Sequence, residues 1–329
     1  MSASFSSRTI EALSGLVFPW VFLNLSASFI PGTIKDIFST HGFVPGLRIV
    51  LSPSRFREVW FGRFWAYVSP NIRMNAGPLV LPLLDGRVSR GRVVEEPTGP
   101  GVGGVVLEIG PGSGLWVNLF SDRCLYEEDT SDAAAQKQQG GNTSLQKRAN
   151  TARSKVTRVY GVEPNASHHA ALRRSIEAAG LKDIYEIVPV GIEDLSSSSD
   201  TGRKKWEGSI EPESVDCIVS VICLCSIPDP ERNIHELYKL LRPGGRWYIY
   251  EHVKCDYSWY MRLYQRGINL IWPYLIGGCE LCRPTDTTLR ETGPWASIDV
   301  GQPPIDNPGR TPFIPWYQCL PHRIGVFTK

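Results

Sequence analysis

The feature that most constrains the fold of this chain is an apolar run followed by a glycine-rich turn. The stretch reads Val105-Val106-Leu107-Glu108-Ile109-Gly110-Pro111-Gly112-Ser113-Gly114. Its β-branched first half is typical of a buried strand, and residues 115–120 are predicted to start a helix. Glycine is needed where the backbone takes a positive φ or presses against a ligand. A strand, a glycine turn and a helix in this order open a doubly wound α/β sheet, and the helix N-terminus favours an anionic group.

Strands and helices alternate along the chain after this turn. Further strands are predicted at 156–163, 184–190, 214–225 and 246–253, with helices at 166–179 and 234–241. Such alternation predicts a mostly parallel sheet with right-handed crossovers. Glu163 ends the second strand, so it should lie with the glycine turn at the carboxyl edge, where open α/β sheets bind ligands. A carboxylate there can accept hydrogen bonds from both hydroxyls of a ribose.

The spacing of the glycines separates two classes of nucleotide-binding protein. A dinucleotide-binding turn follows the pattern G-x-G-x-x-G. Leu115 stands where that pattern needs its third glycine, which disfavours a nicotinamide-dependent oxidoreductase. The formal charge of +2 over 329 residues is nearly balanced, so it gives no electrostatic basis for binding nucleic acid.

The N-terminal residues 1–35 are predicted to be a hydrophobic anchor segment. Residues 12–34 carry no charge, and Leu13 to Ile30 meets the minimum length of a spanning helix. A signal peptide cleaved near Ser26-Ala27-Ser28 and a helix packed on the domain are the alternatives. The anchor is favoured because the cysteines show no disulfide pattern, which suits a protein facing the cytosol. The endoplasmic reticulum is the candidate membrane, and a cytoplasmic location is the alternative.

Two segments outside the predicted sheet have distinct compositions. The aromatic and basic segment 55–65 has apolar residues at helical spacing, which predicts a helix packed on the sheet; contact with substrate or membrane is the alternative. Residues 127–155 are polar and have no apolar set to bury, which predicts a flexible insertion.

The cysteines and histidines give no metal signature at this level. Eight cysteines are scattered along the chain, and Cys279-x-x-Cys282 has a ligand-like spacing without a second pair beside it. We therefore predict reduced cysteines and no metal. His168 and His169 are expected to be exposed at the start of a helix.

Five segments in this order resemble class I S-adenosylmethionine (SAM) methyltransferases. They are Leu107-Glu108-Ile109-Gly110-Pro111-Gly112-Ser113-Gly114, Gly161-Val162-Glu163-Pro164-Asn165, Leu224-Cys225-Ser226-Ile227, Leu241-Arg242-Pro243-Gly244-Gly245 and Tyr250-Glu251-His252-Val253. Within that superfamily the chain is similar to the membrane-bound alkyl-thiol methyltransferases called methyltransferase-like 7 proteins. The resemblance covers residues 100–255. It implies a seven-stranded sheet closed by an antiparallel hairpin, with the last strands at 295–300 and 323–329.

The resemblance also implies the cofactor and its contacts. The glycine turn would hold the methionine part of SAM, Glu163 the ribose, and residues 192–193 the adenine, while the segment 225–227 would border the methyl-transfer site. The implied cofactor-binding residues are Glu108, Gly110, Gly112, Gly114, Glu163, Ile192, Glu193 and Cys225. The implied organisation is the anchor segment, a helical lead-in over 36–100 and a SAM-binding methyltransferase domain over 101–329.

The predicted activity is SAM-dependent methyl transfer to a small apolar acceptor, with sulfur favoured. A thiol needs little help from a base, whereas a phenol or carbon acid needs a positioned one, for which His252 is the candidate catalytic residue. O- or C-methylation of a phenol, quinone or lipid-like metabolite is one alternative, and a non-catalytic SAM-binding membrane protein is another. The aromatic helix 257–272 is expected to cap the site, and the loop 303–321 is expected to border the acceptor pocket. The sequence does not specify the oligomeric state.

Overall fold

A computed structural model describes residues 5–121, 154–196, 206–303 and 318–329. The predicted insertion 127–155 therefore lies outside the described residues except for its last two positions. The same holds for the predicted acceptor-pocket loop 303–321 apart from its two ends.

A seven-stranded sheet forms the centre of the described chain. Two short strands, β1 (Val88–Ser89) and β2 (Arg92–Val93), pair separately before it. The sheet consists of β3 (Gly104–Ile109), β4 (Val156–Val162), β5 (Tyr185–Val188), β6 (Val215–Val221), β7 (Leu241–His252), β8 (Ser297–Gly301) and β9 (His322–Thr328). Their spatial order is β5-β4-β3-β6-β7-β9-β8. Strands β3 to β7 are parallel, and β9 runs antiparallel to β7 and β8, so the predicted doubly wound sheet with a C-terminal hairpin is confirmed.

Helices cover the sheet and precede it. The N-terminal helices are α1 (Phe5–Ser28), α2 (Ile30–His41), α3 (Phe43–Val50) and α4 (Pro53–Leu84). The later helices are α5 (Ala166–Ala178), α6 (Pro230–Leu240), α7 (Trp259–Asn269), α8 (Trp272–Leu275) and α9 (Thr285–Glu291). Short 3-10 turns lie at Val117–Phe120 and Ile192–Asp194.

The core is buried on both faces of the sheet because the parallel strands are apolar at successive positions. Val106 belongs to the cluster on one face and its neighbour Leu107 to the cluster on the other, and both are buried. Cys217 and Ile218 on β6 divide in the same way. Near-continuous apolar runs of this kind are what a parallel sheet with helices on both sides requires.

Three predicted elements differ in detail from the structure. The helix expected at 115–120 is a 3-10 turn in the described residues, and the helix expected over 257–272 breaks into α7 and α8. The helix predicted at 234–241 ends at Leu240, and Leu241 already belongs to β7. Leu241 pairs with Val215 and Arg246 with Cys217, so residues 242–245 form a bulge in β7, where Gly244 has φ of 74° and donates its N–H to the Lys329 carbonyl.

The N-terminal apolar segment both packs on the domain and presents an apolar surface. Among the described residues, one helical stretch, Gly15–His41, is long and apolar enough to cross a membrane by length and composition. Ser26 on α1 is fully buried; its hydroxyl donates to the Leu275 carbonyl at 2.6 Å, and its own carbonyl accepts from Trp60 Nε1 at 2.9 Å. Other α1 side chains, among them Val17 and Val21, are exposed.

Candidate functional site

The glycine turn after β3 has the backbone geometry that its sequence predicts. Gly110, Gly112 and Gly114 have φ of 65°, 57° and 91°. A β-carbon on Gly110 would lie 2.3 Å from Cys223 Sγ, and one on Gly114 would lie 2.5 Å from Ser175 Cβ. These two glycines let the turn pack against its neighbours. Gly112 is buried, and a β-carbon there would meet the side chains of Trp65 and His168 at 3.4 Å and 3.8 Å, which is ordinary contact.

Glu163 directly follows β4 and holds the glycine turn through a hydrogen bond. Its buried carboxylate accepts hydrogen bonds from the Gly112 N–H at 2.8 Å and the Asn165 N–H at 2.9 Å. His168 Nδ1 lies 3.4 Å from the same carboxylate, and neither ring nitrogen of His168 has a hydrogen-bond partner. Buried polar groups therefore gather where the ribose was predicted to bind.

The burial of His168 corrects the expectation that it is exposed. Helix α4 passes directly over the start of α5, and Gly62 allows the close approach. A β-carbon there would lie 2.7 Å from Ser167 Oγ and 3.3 Å from His168 Nε2. His169 is partly exposed, and its Nε2 is 2.7 Å from the Glu163 carbonyl oxygen.

Glu108 joins strands beneath the turn. Its buried carboxyl group accepts a hydrogen bond from the Tyr185 hydroxyl at 2.5 Å. Gly161 on the intervening strand leaves room for this bond, because a β-carbon there would lie 2.2 Å from the hydroxyl oxygen. Burial raises the pKa of Glu108 to about 7 against the opposing effect of the Tyr185 hydrogen bond. Its predicted contact with the cofactor stays a prediction.

The predicted adenine residues lie in the 3-10 turn after β5. Ile192 is buried and Glu193 is exposed. The Glu193 carboxylate folds back over Gly191, where a β-carbon would meet it at 2.4 Å. Their roles at the adenine stay predictions.

A second network holds the segment after β6. The fully buried Glu251 carboxylate accepts hydrogen bonds from the N–H groups of Cys223 and Leu224 at 3.0–3.2 Å. Burial raises the pKa of Glu251 to about 8. Arg283 donates to the Leu224 carbonyl at 3.1 Å and also to that of Ile227. The segment is thus held by the Glu251 carboxyl group on one side and the Arg283 guanidinium on the other.

Three soft side chains meet beside this segment. Cys225, His252 and Cys279 are buried, and their ligand atoms all lie within 4.8 Å of one another. His252 Nε2 is 3.0 Å from Cys279 Sγ, and Trp272 Nε1 donates to the same sulfur at 3.2 Å. The structure therefore brings two predicted site residues, Cys225 and His252, into one cluster with a residue that the sequence analysis did not select.

The sequence analysis missed three residues of this region, Glu251, Cys279 and Arg283. The sequence could have predicted that Cys225 and His252 lie close together. Cys225 follows β6 and His252 ends β7, and the carboxyl ends of these neighbouring parallel strands meet at one edge of the sheet. No such rule places Cys279, which follows α8 and lies 27 residues beyond His252.

Helix α4 covers both parts of the edge. Trp65 lies beside Gly112, and Phe61 stacks on Trp65 with ring centroids 5.5 Å apart. A β-carbon on Gly277 would lie 2.7 Å from the Phe61 ring, so the aromatic pair reaches from the glycine turn to the turn before Cys279. The aromatic segment 55–65 thus packs on the carboxyl edge of the sheet.

A match to a family model gives the class of this protein, that of the methyltransferases. The methyltransferase domain family matches residues 88–281, and the chain belongs to that family. The predictions of a class I SAM-dependent methyltransferase near the thiol methyltransferase branch, and of SAM as its cofactor, are confirmed.

Individual relatives match a smaller part of the chain. Over 116 residues it is 31% identical to thiol S-methyltransferase TMT1A and 29% identical to thiol S-methyltransferase TMT1B, both of Homo sapiens. Each match covers 35% of this chain and 44% of the relative, so less than half of each relative is spanned. Among solved structures, the chain is similar to an O-methyltransferase family protein from Burkholderia thailandensis. The identity is 14% and the TM-score 0.45, with 86% of this chain and 61% of that chain covered.

The residues at the glycine turn fit the cofactor. A buried carboxylate can accept hydroxyl hydrogen bonds, and the His168 ring beside it has nitrogen atoms without a partner. Gly112 itself carries no side chain, and its positive φ of 57° brings its amide to the Glu163 carboxylate.

Proposed function

We propose that this chain transfers the methyl group of SAM to a small apolar acceptor, and that the acceptor atom is a thiol sulfur. The observation that carries the proposal is the buried Glu163 carboxylate, which fastens the Gly112 amide at the carboxyl edge of a methyltransferase sheet. When bound, SAM supplies an activated methyl group on a sulfonium.

The resemblance to class I methyltransferases supports the following roles for the residues of the site. The backbone of the turn at Gly110, Gly112 and Gly114 holds the methionine part, and Glu163 accepts the ribose hydroxyls. Ile192 and Glu193 flank the adenine. The protein contributes position and a dry environment, because the sulfonium is already a good leaving group.

An aromatic cluster supports an apolar acceptor. Phe64 and Trp272 are buried in the same cluster as Cys225, and Phe61 and Trp65 pack against it. The named activity of the two human relatives supports a thiol. His252 is buried against Cys279, which makes it a poor general base for a phenol, whereas a thiol needs little base help.

An exposed apolar surface on α1 and α7 supports membrane association. Trp20 and Val21 on α1 and Trp259 and Leu263 on α7 are exposed, and Trp20 Nε1 donates to the Tyr264 hydroxyl on α7 at 3.0 Å. Two arginines, Arg262 and Arg266, line a groove with Trp259 and Leu263. Apolar and basic side chains on one surface suit a membrane with acidic lipids.

The free state of the described cysteines supports a domain that faces the cytosol, with the endoplasmic reticulum as the candidate membrane. Flotation of the full chain with vesicles tests the association, using neutral vesicles and vesicles with acidic lipid. We expect stronger binding to the acidic vesicles and a loss of binding in the double variant Trp259→Ser with Leu263→Ser. A chain that floats with neither vesicle contradicts the membrane proposal.

Activity is tested with isotopically labelled SAM against alkanethiols, phenols and quinones. We expect label in the thiol. Replacing Glu163 by Gln should weaken SAM binding by roughly 10–100-fold, the loss expected for a hydrogen bond to a charged group. Glu177→Gln is the matched control, because Glu177 is an exposed carboxylate on the neighbouring α5. Labelled phenol in place of thiol would support O-methylation. Normal SAM binding without any labelled product would favour the non-catalytic alternative.

A further inference from the structure

The cluster of Cys225, His252 and Cys279 has a composition that metal ions recognise. It offers two thiol sulfurs and an imidazole from three separate parts of the fold: the segment after β6, the end of β7 and the turn after α8. Two sulfurs and one nitrogen form a ligand set typical of zinc. Mg²⁺ and Ca²⁺ prefer oxygen ligands, so this set disfavours them.

The spacing of these atoms suits a single small ion. Zinc bonds are about 2.3 Å to sulfur and 2.0–2.1 Å to nitrogen, so two ligands of one tetrahedral ion lie roughly 3.5–4 Å apart. The ligand atoms here are within 4.8 Å of one another, and His252 Nε2 is 3.0 Å from Cys279 Sγ. Side-chain shifts of about half an ångström would complete the geometry.

The surroundings supply what a bound metal needs beyond its ligands. Trp272 Nε1 donates to Cys279 Sγ at 3.2 Å, a hydrogen bond that stabilises and orients a ligand thiolate. His252 is 3% exposed, and its Nδ1 is buried without a hydrogen-bond partner. Nε2, the nitrogen 3.0 Å from Cys279 Sγ, is the ring atom that would bind the ion, and Nδ1 is the other nitrogen of the same ring.

Charge balance favours the same occupant. Two thiolates and one Zn²⁺ sum to zero, which suits a cluster packed among buried apolar side chains such as Met261 and Leu281. The titratable groups next to the cluster already have hydrogen-bond partners. Glu251 accepts hydrogen bonds from the Cys223 and Leu224 amides, and Arg283 donates to backbone carbonyls.

We propose that Cys225, His252 and Cys279 bind one Zn²⁺ ion, and that its fourth position takes the thiolate of the methyl acceptor. Three protein ligands leave one position for a further ligand, as in catalytic zinc sites. Cys223, two residues before Cys225, lies against Gly110, so the cluster shares the carboxyl edge with the glycine turn. The acceptor part rests on the function proposed above.

The chemistry balances without an oxidant or reductant. The acceptor thiol loses its proton to solvent as its sulfur displaces water from zinc, and the metal favours the thiolate at neutral pH. The acceptor sulfur then forms a bond to the methyl carbon while the bond from that carbon to the sulfonium sulfur breaks. The departing sulfur keeps the electron pair, and the products are two neutral thioethers.

The first test is the metal content of the full chain, purified in detergent without chelators. We expect about one zinc per chain, and a loss of at least ~10-fold in zinc affinity in Cys225→Ser, Cys279→Ser and His252→Ala. Cys217→Ser and Cys319→Ser are matched controls, since both cysteines are buried and lie outside the cluster. Circular dichroism and cooperative thermal unfolding verify that each variant is folded.

Cobalt substitution keeps the proposal testable should the variants fail to fold. Wild-type protein loaded with Co²⁺ should show sulfur-to-cobalt charge-transfer absorption. A SAM-binding preparation that contains no zinc and shows no such absorption would overturn the site. A disulfide between Cys225 and Cys279, found by peptide mapping of the isolated protein, would overturn it as well.

The fourth position is tested by titrating the cobalt form with a small alkanethiol and with the matching alcohol. The thiol should increase the charge-transfer absorption and the alcohol should not. An unchanged spectrum would overturn the acceptor position. A thiol-dependent spectrum without methyl transfer would instead contradict the proposed function and leave the metal site standing, so the two failures are distinguishable.

Discussion

The glycine turn after β3 and the segment after β6 lie at the same carboxyl edge, but different groups hold them. Backbone geometry shapes the glycine turn, with three positive φ values and one carboxylate, that of Glu163, bonded to an amide. The segment after β6 is held by side chains from β7 and from the region after α8, namely Glu251 and Arg283. The first region is shaped mainly by its own backbone conformation, and the second is held by side chains from other elements.

This difference explains how each region would fail. A glycine turn fails when its backbone cannot take the required conformation, and the damage stays local. A segment held by buried hydrogen bonds fails when one partner is removed, because the remaining polar groups stay buried and unsatisfied. The first kind of damage should appear in ligand affinity and the second in the stability of the whole fold.

The largest effect is expected from Gly112→Val. Gly112 has φ of 57°, which a β-branched residue strongly disfavours, and a valine side chain would press on Trp65 and on His168 beside Glu163. SAM affinity should fall by more than ~100-fold, about 3 kcal/mol, when measured by calorimetry. Gly244→Val is the matched control, because Gly244 has φ of 74°, no atom within 4 Å of its β-carbon position and a place near the opposite edge. Equal SAM affinity in the Gly112→Val and Gly244→Val variants would contradict the assignment of the glycine turn to cofactor binding.

The second effect concerns the stability of the β6 segment. Glu251→Ala removes the acceptor of two N–H groups, those of Cys223 and Leu224. The free energy of unfolding, measured by urea titration, should fall by roughly 2 kcal/mol. Glu251→Gln keeps one acceptor oxygen, so its free energy of unfolding should fall by less than that of Glu251→Ala. If Glu251→Ala kept its free energy of unfolding but lost SAM affinity, the segment after β6 would act on ligand binding and not on the stability of the fold, contrary to this prediction.

The third effect is a pH dependence of stability from Glu108. Burial raises the pKa of Glu108 from its ordinary 4.5 to about 7, so between these values the folded chain holds a proton that the unfolded chain releases. The contribution is complete below about pH 4.5 and is lost as the pH rises through about 7, with a slope of at most ~1.4 kcal/mol per pH unit. Denaturation of Glu108→Gln at several pH values should show a shallower decline than the wild type. Parallel curves for the two proteins would contradict the buried acid.

The smallest effect is expected from Tyr185→Phe. This change removes the hydroxyl that donates to Glu108 and should cost about 1 kcal/mol in the free energy of unfolding. SAM affinity should change by less than ~3-fold if Glu108 acts mainly within the sheet. A larger loss of affinity than of stability would assign Glu108 to the cofactor instead.

The same contrast shows how far the sequence could predict the molecule. The strands, their parallel order and the place of Glu163 follow from apolar periodicity and from the rule that ligands bind at the carboxyl edge. Cys279 and Arg283 could not be placed, because helix packing after β7 depends on contacts with distant helices. The burial of His168 was missed for a related reason, since it depends on α4 crossing at Gly62, which no local pattern indicates.

The packing of α1 has a consequence for the modularity of the protein. Ser26 is tied to Trp60 and Leu275, and the Phe22 ring contacts Phe64 and Trp272 in the aromatic cluster. Helix α4, which receives these contacts, also carries Trp65 beside the glycine turn. Helix α1 is therefore packed into the domain as part of its fold, and it is not a separate segment joined to the domain only through the chain. Exchanging it for an unrelated apolar helix would remove the contacts that support α4 where that helix passes the glycine turn.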